Sequence, residues 1–185
     1  ALSKWVIVKT VDGKESIDSH AHYADDIQAS QSLSPMQLTT KKGLGGFFLN
    51  AIESDLDDLG IGSVTVNIPI TAYMFTSDRG NCIPHIYGGK TFYFDRGGIE
   101  SLDTTLRATT KRNIVVSAIL LIQPAASCPD PEIGRMLQHP SYTSQGIYTM
   151  PNMTNPESVH CYAAALDFLA SRYCRADNQY CRINY

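Results

Sequence analysis

From residue 41 onward, strand-like and helix-like periodicities alternate along this chain, and that alternation limits the folds open to it. The run 113–123, NIVVSAILLIQ, is apolar almost throughout. Such runs belong to parallel strands covered on both faces. Upstream, 63–70 (SVTVNIPI) sets Val64, Val66 and Ile68 on one side and Ser63, Thr65 and Asn67 on the other, which predicts a strand. Before it, Phe48, Ile52, Leu56 and Leu59 share one helical face, and Gly60 stands where a C-terminal cap belongs. Between the two strands, Ile99, Leu102 and Leu106 predict a helix over about 98–111. After the second, Asn155-Pro156-Glu157 combines an N-cap, a proline at the first helical position and an acid in the first turn. The helix it opens has an apolar face of Val159, Tyr162, Ala163, Leu166, Leu169 and Ala170 and ends near Tyr173. Residues 42–47, with Gly43, Gly45 and Gly46, read as a short strand with close backbone approach or a turn. Arg182-Ile183-Asn184-Tyr185 begins one more strand pattern.

Strand, helix, strand, helix, strand, helix and an incipient strand predict an α/β fold with a parallel sheet and right-handed crossovers. An open doubly wound sheet and a β/α-barrel both satisfy that order. The links after strands run to about thirty residues and those after helices are short, as in barrels, which carry function on strand-to-helix loops. No Gly-x-Gly-x-x-Gly or Gly-x-x-x-x-Gly-Lys-Ser/Thr follows a strand, which removes the usual signs of nucleotide binding. A complete barrel takes about 250 residues. The expectation is therefore the N-terminal half of a (β/α)8 TIM barrel, truncated at the start of the fourth strand. Residues 1–40 are expected to form an N-terminal hairpin and lead-in segment, and 41–185 the first three to four β/α units.

The lead-in begins with 4–10, KWVIVKT, a strand running into a turn at Asp12-Gly13, with 14–17 placed to pair back. Residues 18–40 read as a long loop or as a short helix around 24–30. Within the link after 63–70, two short aromatic runs, 83–87 and 91–94, flank Gly88-Gly89-Lys90 and predict a β-hairpin. The connection 124–154, rich in Pro, Ser and Tyr, reads as a loop.

Composition narrows the function. The 185 residues are 43% hydrophobic, enough for a core, and carry a formal charge of −3. No Lys/Arg run exceeds two residues, so nucleic acid is not an expected partner. No stretch reaches the roughly 20 apolar residues of a membrane span. Residues 1–8, ALSKWVIV, lack a signal-peptide pattern, as expected of a mature form or a trimmed chain. Five cysteines without a Cys-x-x-Cys pair give no zinc or redox motif. They read as mostly buried free thiols, with a Cys174–Cys181 disulfide as the alternative in an oxidising compartment.

In a barrel, side chains at the C-terminal strand ends line the mouth. Asn67 and Gln123 offer amides there, able both to donate to and accept from sugar hydroxyls. The hairpin adds His85, Tyr87, Phe92, Tyr93 and Phe94, and Tyr73 follows the second strand; aromatic rings suit the apolar faces of pyranoses. Asp78-Arg79 and Asp95-Arg96 read as loop salt bridges. His20 and His22 lack a third metal ligand at fixed spacing. No Gly-x-Ser-x-Gly elbow occurs, and Cys-His pairs have no local signature. Asn152-Met153-Thr154 matches a glycosylation pattern that reads as coincidence. Glycoside hydrolysis needs two carboxylates about the scissile bond. The acids Glu53, Asp55, Asp57, Glu100, Asp103 and Asp167 lie on outward helix faces, and only Asp95 approaches a strand end.

The segments KKGLGG, DLGIGSVTVNIPI, GGKTFYFD and NIVVSAILLIQP resemble an uncharacterised bacterial family classed by similarity with the glycoside hydrolases, over about residues 16–185. The resemblance implies a TIM-barrel domain related to clan A glycosidases and a secreted or periplasmic protein acting on an oligo- or polysaccharide. It implies an acid/base Glu past the strand that starts at Arg182 and a nucleophile on the seventh strand, both outside this chain. It places Asn67, Tyr73, Tyr93 and Gln123 near the pocket. The resulting expectation is a retaining glycoside hydrolase without cofactor or metal, inactive as residues 1–185 alone. The remainder of its barrel would come from further sequence or a second chain. The alternatives are a non-catalytic carbohydrate-binding barrel and a doubly wound ligand-binding domain.

Overall fold

The computed structural model describes residues 6–21, 37–48, 53–175, 177 and 179–185. The chain divides into two units, residues 1–34 and 35–185. In the first, β1 (Val8–Val11) and β2 (Lys14–Ile17) form an antiparallel hairpin. Asp12 and Gly13 both take positive φ at its turn, the backbone a two-residue hairpin needs. The stretch around 24–30 and His22 lie outside the described residues.

The second unit is mixed α/β. Its central sheet has three parallel strands in chain order: β3 (Gly43–Leu44), β4 (Ser63–Pro69) and β8 (Val115–Leu121). Tyr185 N–H donates to Val116 O at 3.1 Å, and Ala118 N–H donates to Tyr185 O at 2.7 Å. That is the bonding of a parallel pair with Tyr185 opposite Ser117, on the edge of β8 away from β4. Val64, Val66 and Ile68 are buried, and the facing Val116 joins them in the core. The residues between them point the other way. Thr65 pairs with Ser117 and Asn67 with Ile119, and this second face is open: Asn67 is exposed and Ile119 is 42% exposed.

The helices α3 (Arg96–Thr110) and α5 (Pro156–Tyr173) bury Ile99, Leu102, Leu106, Ala164, Ala165 and Phe168 in the same core as Val64, Val66 and Ile68. The predicted caps hold: Asn155 Oδ1 accepts from Ser158 N–H at 2.9 Å, with Pro156 at the first helical position. The predicted face of α5 holds in part: Leu169 is buried in the core and Tyr162 packs against it. Val159 and Leu166 are exposed, and Cys161, Ala164, Ala165 and Phe168 face inward. Phe168 stacks on Phe94 at 3.7 Å between centroids. The helix expected over Phe48–Leu59 is present in part, and residues 49–52 of it lie outside the described residues. Phe47 N–H still donates to Thr65 O, extending the strand ladder at that point. Within the described part of that segment Asp55–Asp58 (α1) is helical and Leu56 is buried, Phe48 and Leu59 are exposed, and Ile52 is not described. The cap at Gly60 (φ 61°) is formed, with Ile61 N–H donating to Leu56 O.

After β4 come a single helical turn, α2 (Ile70–Tyr73), and a second, antiparallel sheet of β5 (Met74–Phe75), β7 (Lys90–Asp95) and β6 (Cys82–Tyr87). The predicted hairpin is present, turned by Gly88 and Gly89, both at positive φ. After β8 the connection holds a further helix, α4 (Pro131–Leu137), where sequence reading expected a loop. No helix among the described residues is long and apolar enough to cross a membrane.

Candidate functional site

The C-terminal ends of β4 and β8 open onto two long connections, and the polar groups there are held by named contacts. Thr71, fully buried in α2, donates its hydroxyl to Gln123 Oε1 at 3.5 Å and accepts from Gln123 N–H at 3.0 Å. This ties the end of one strand to the end of the next. Asp130 caps α4 and reaches back to the first connection. Its Oδ2 accepts from Thr76 N–H at 2.8 Å and from Thr76 Oγ1 at 3.0 Å, and its Oδ1 accepts from Glu132 and Ile133 N–H. Burial works against its charge, but the donors from Thr76, Ile133 and Glu132 outweigh that and hold the carboxyl below the usual range.

Of the five residues singled out for substrate, Asn67 alone lies on the open face of the parallel sheet. Gly45 and Gly46 run beside that face, and a Cβ on Gly46 would lie 3.9 Å from Asn67 Nδ2. Gln123 is committed to Thr71. Tyr73 packs on the start of α3, where a Cβ on Gly98 would fall 2.5 Å from its Cδ1. Burial, then the Asp95 charge, pushes its phenol up. His85 meets the stacked Phe94 and Phe168 rings edge-on, with Nε2 2.9 Å from Asp167 Oδ2. Tyr93 pairs across to Phe75 and Pro84 within the small sheet. The five do not converge. The hairpin's buried aromatics, Phe92 and Phe94, are turned toward His160 and Phe168 of α5.

Five of the seven acids named from the sequence, Glu53, Asp57, Asp95, Asp103 and Asp167, are engaged as well. Asp95 Oδ2 caps α3 through Gly98 N–H at 2.6 Å. Arg112 binds Asp57 through two nitrogens and Glu53 through a third. Asp103, expected on an outward face, is 7% exposed and accepts from Arg172 Nε at 3.0 Å and from Tyr173 OH at 2.8 Å. The expected loop ion pairs are replaced by other contacts: Arg79 donates to Pro129 O and lies over the Phe75 ring, Arg96 donates to Cys82 O, and Asp78 accepts from Gly80 N–H. Asn152 is buried, its Oδ1 accepting from Thr154.

The five thiols are free. Burial raises Cys128, Cys161, Cys174 and Cys181, with Cys161 pushed up to about 12. Thiols in that state are poor nucleophiles at neutral pH. Among the described residues no group of three or more His, Cys, Asp or Glu is placed to hold a metal.

A concavity missed by sequence reading lies in the connection after β8. It has a volume of about 210 Å³, and its lining includes His139, Tyr142, Tyr148 and Met150. Thr149 N–H donates to Ile122 O at 2.9 Å, which anchors it to the end of β8. The tyrosines of 124–154 were its one sequence signal.

No curated protein and no solved structure matches the chain. Residues 34–185 match the model described as a family of unknown function, DUF5722, and the chain belongs to that family.

Proposed function

We propose that residues 41–185 are the first units of a (β/α)8 barrel and that the barrel is a retaining glycoside hydrolase whose carboxylate pair is outside this chain. The reading is carried by one observation: the parallel strands follow chain order, both long helices share a core with Val64, Val66 and Ile68, and Asn67 and Ile119 on the other side of the sheet are exposed. A doubly wound sheet puts helices on both faces and reverses strand order, whereas a barrel keeps helices outside and encloses the second face. Thr65, Asn67, Ser117 and Ile119 then point to the interior, with Asn67 two residues before the end of β4. Support for a sugar comes from that free amide and from the hydroxyl- and aromatic-lined concavity beyond β8. The expected substrate is an oligo- or polysaccharide met outside the cell or in the periplasm.

The test uses the natural protein with whatever sequence follows Tyr185. A 2-deoxy-2-fluoroglycosyl fluoride, which leaves a retaining enzyme as a stable glycosyl ester, should add one glycosyl mass, on a peptide outside residues 1–185. Residues 1–185 alone should gain none and should not turn over aryl glycosides. A label inside residues 1–185, or no label with turnover absent, sinks the hydrolase reading; sugar binding with neither favours a non-catalytic carbohydrate-binding barrel.

A further inference from the structure

The concavity in 139–150 is built before any ligand arrives. His139 N–H donates to Met150 O at 3.1 Å, Tyr142 N–H to His139 O at 3.0 Å and Gly146 N–H to Thr143 O at 3.1 Å. The Tyr142 hydroxyl closes the loop on Gly146 O at 2.9 Å. The bridge between Gln138 and Pro151 fastens its base to the end of α4. A preformed loop spares a ligand the cost of ordering it.

Its groups suit a neutral polyol. His139 Nδ1 accepts from Ser141 N–H at 3.1 Å, so the neutral ring carries its proton on Nε2 and keeps a donor there. Ser141 and Thr143 add exposed hydroxyls, and Tyr148 adds a ring that is 48% exposed, beside Met150 at 72%. No Lys, Arg, Asp or Glu lines the space. At about 210 Å³ it is smaller than the roughly 300–1,000 Å³ of sites for drug-sized ligands, which leaves room for one ring. Its place past the end of β8 is where α/β sheets bind ligands.

We infer that loop 139–150 is a subsite for one uncharged pyranose ring, seated on Tyr148 with its hydroxyls met by His139 Nε2–H, Ser141 and Thr143. The inference rests on the carbohydrate reading and adds a location and a charge class. A uronic acid is disfavoured because no cation meets its carboxylate.

The test is saturation-transfer NMR on the 185-residue chain with the methyl glycosides of glucose, galactose, mannose and xylose and with methyl glucuronide, at pH 7.5. At least one neutral glycoside should bind in the millimolar range, and Tyr148→Ala and His139→Ala should each weaken it by about tenfold. Tyr148→Phe, which keeps the ring, should bind like the parent; thermal melts confirm that the variants fold. Glucuronide bound as well as the neutral sugars overturns the charge class. Binding unchanged in Tyr148→Ala and His139→Ala but lost in Asn67→Ala overturns the subsite and leaves the carbohydrate reading standing. Absence of binding by every glycoside overturns both.

Discussion

The two long connections at the C-terminal edge of the parallel sheet use their aromatic residues in opposite ways. The one after β4 folds into a second sheet and turns Phe92 and Phe94 inward, where Phe94 stacks on Phe168 and both pack beside histidines of the seam with α5. The one after β8 is fastened by backbone hydrogen bonds and leaves Tyr148 and Met150 at the surface. Aromatic content on a loop past a strand end is therefore no guide to ligand contact by itself. What separates the two is whether the loop can alternate: the hairpin's period of two gives it one face for a helix, and 139–150 has no such face to bury.

The difference is testable as stability. Phe94→Ala should cost about 3–5 kcal/mol, the range for deleting a buried phenylalanine, read as a lowered urea midpoint at unchanged slope. A loss below about 1 kcal/mol would mean that the hairpin is not held by this stack. Next in size is Asp130, which joins the two connections. Asp130→Ala removes an N-cap worth about 0.5–2 kcal/mol and leaves Thr76 N–H without its acceptor. The folded pKa of Asp130 is lowered from its ordinary 3.8. Its contribution is thus full above about pH 4 and fades as pH falls through the lowered folded value. Asp130→Asn should flatten that part of the acid limb of stability against pH; an unchanged acid limb would show that the carboxylate is not what the Thr76 contact needs.

How much of this was legible follows the same division. The alternation at Val64, Val66 and Ile68 and the apolar run 113–123 place β4 and β8 because sheet faces are written with a period of two. Gly88-Gly89 fixes the hairpin because its turn requires positive φ at both residues. Asp130-Pro131-Glu132 carries the same cap, proline and acid as Asn155-Pro156-Glu157, yet α4 went unread because seven residues are too few to show a period. The face of α5 is legible only in part: Leu169 is buried, but small Cys161, Ala164 and Ala165 take places in the core that large Val159 and Leu166 do not. The site was less legible still. Whether Gln123 faces a ligand or Thr71, and whether Asp103 faces water or Arg172, depends on partners far along the chain, which spacing does not encode.

The smaller effects sharpen the contrast from the other side. Asp167 is half exposed where it meets His85, so Asp167→Asn should cost only about 0.2–1 kcal/mol, with a double-mutant cycle against His85→Gln returning a coupling of that size. A larger coupling would make the His85–Asp167 contact, rather than the aromatic stack, the clasp of the hairpin.

Tyr148→Ala should be the mildest. Its ring is half exposed, and the loop's hydrogen bonds run through the backbone of Thr149 and Met150 and the hydroxyl of Tyr142. Surface changes away from caps, cores and buried pairs stay within about 0.5 kcal/mol, so the unfolding midpoint should hardly move while sugar binding falls. That separation is the sharpest form of the comparison. Residues that hold a fold together lose stability when truncated, and a residue kept at the surface for a ligand loses the ligand first. If Tyr148→Ala unfolds the loop as readily as Phe94→Ala unfolds the hairpin, the two connections are alike, and the surface tyrosine is packing that sequence and burial both underrate.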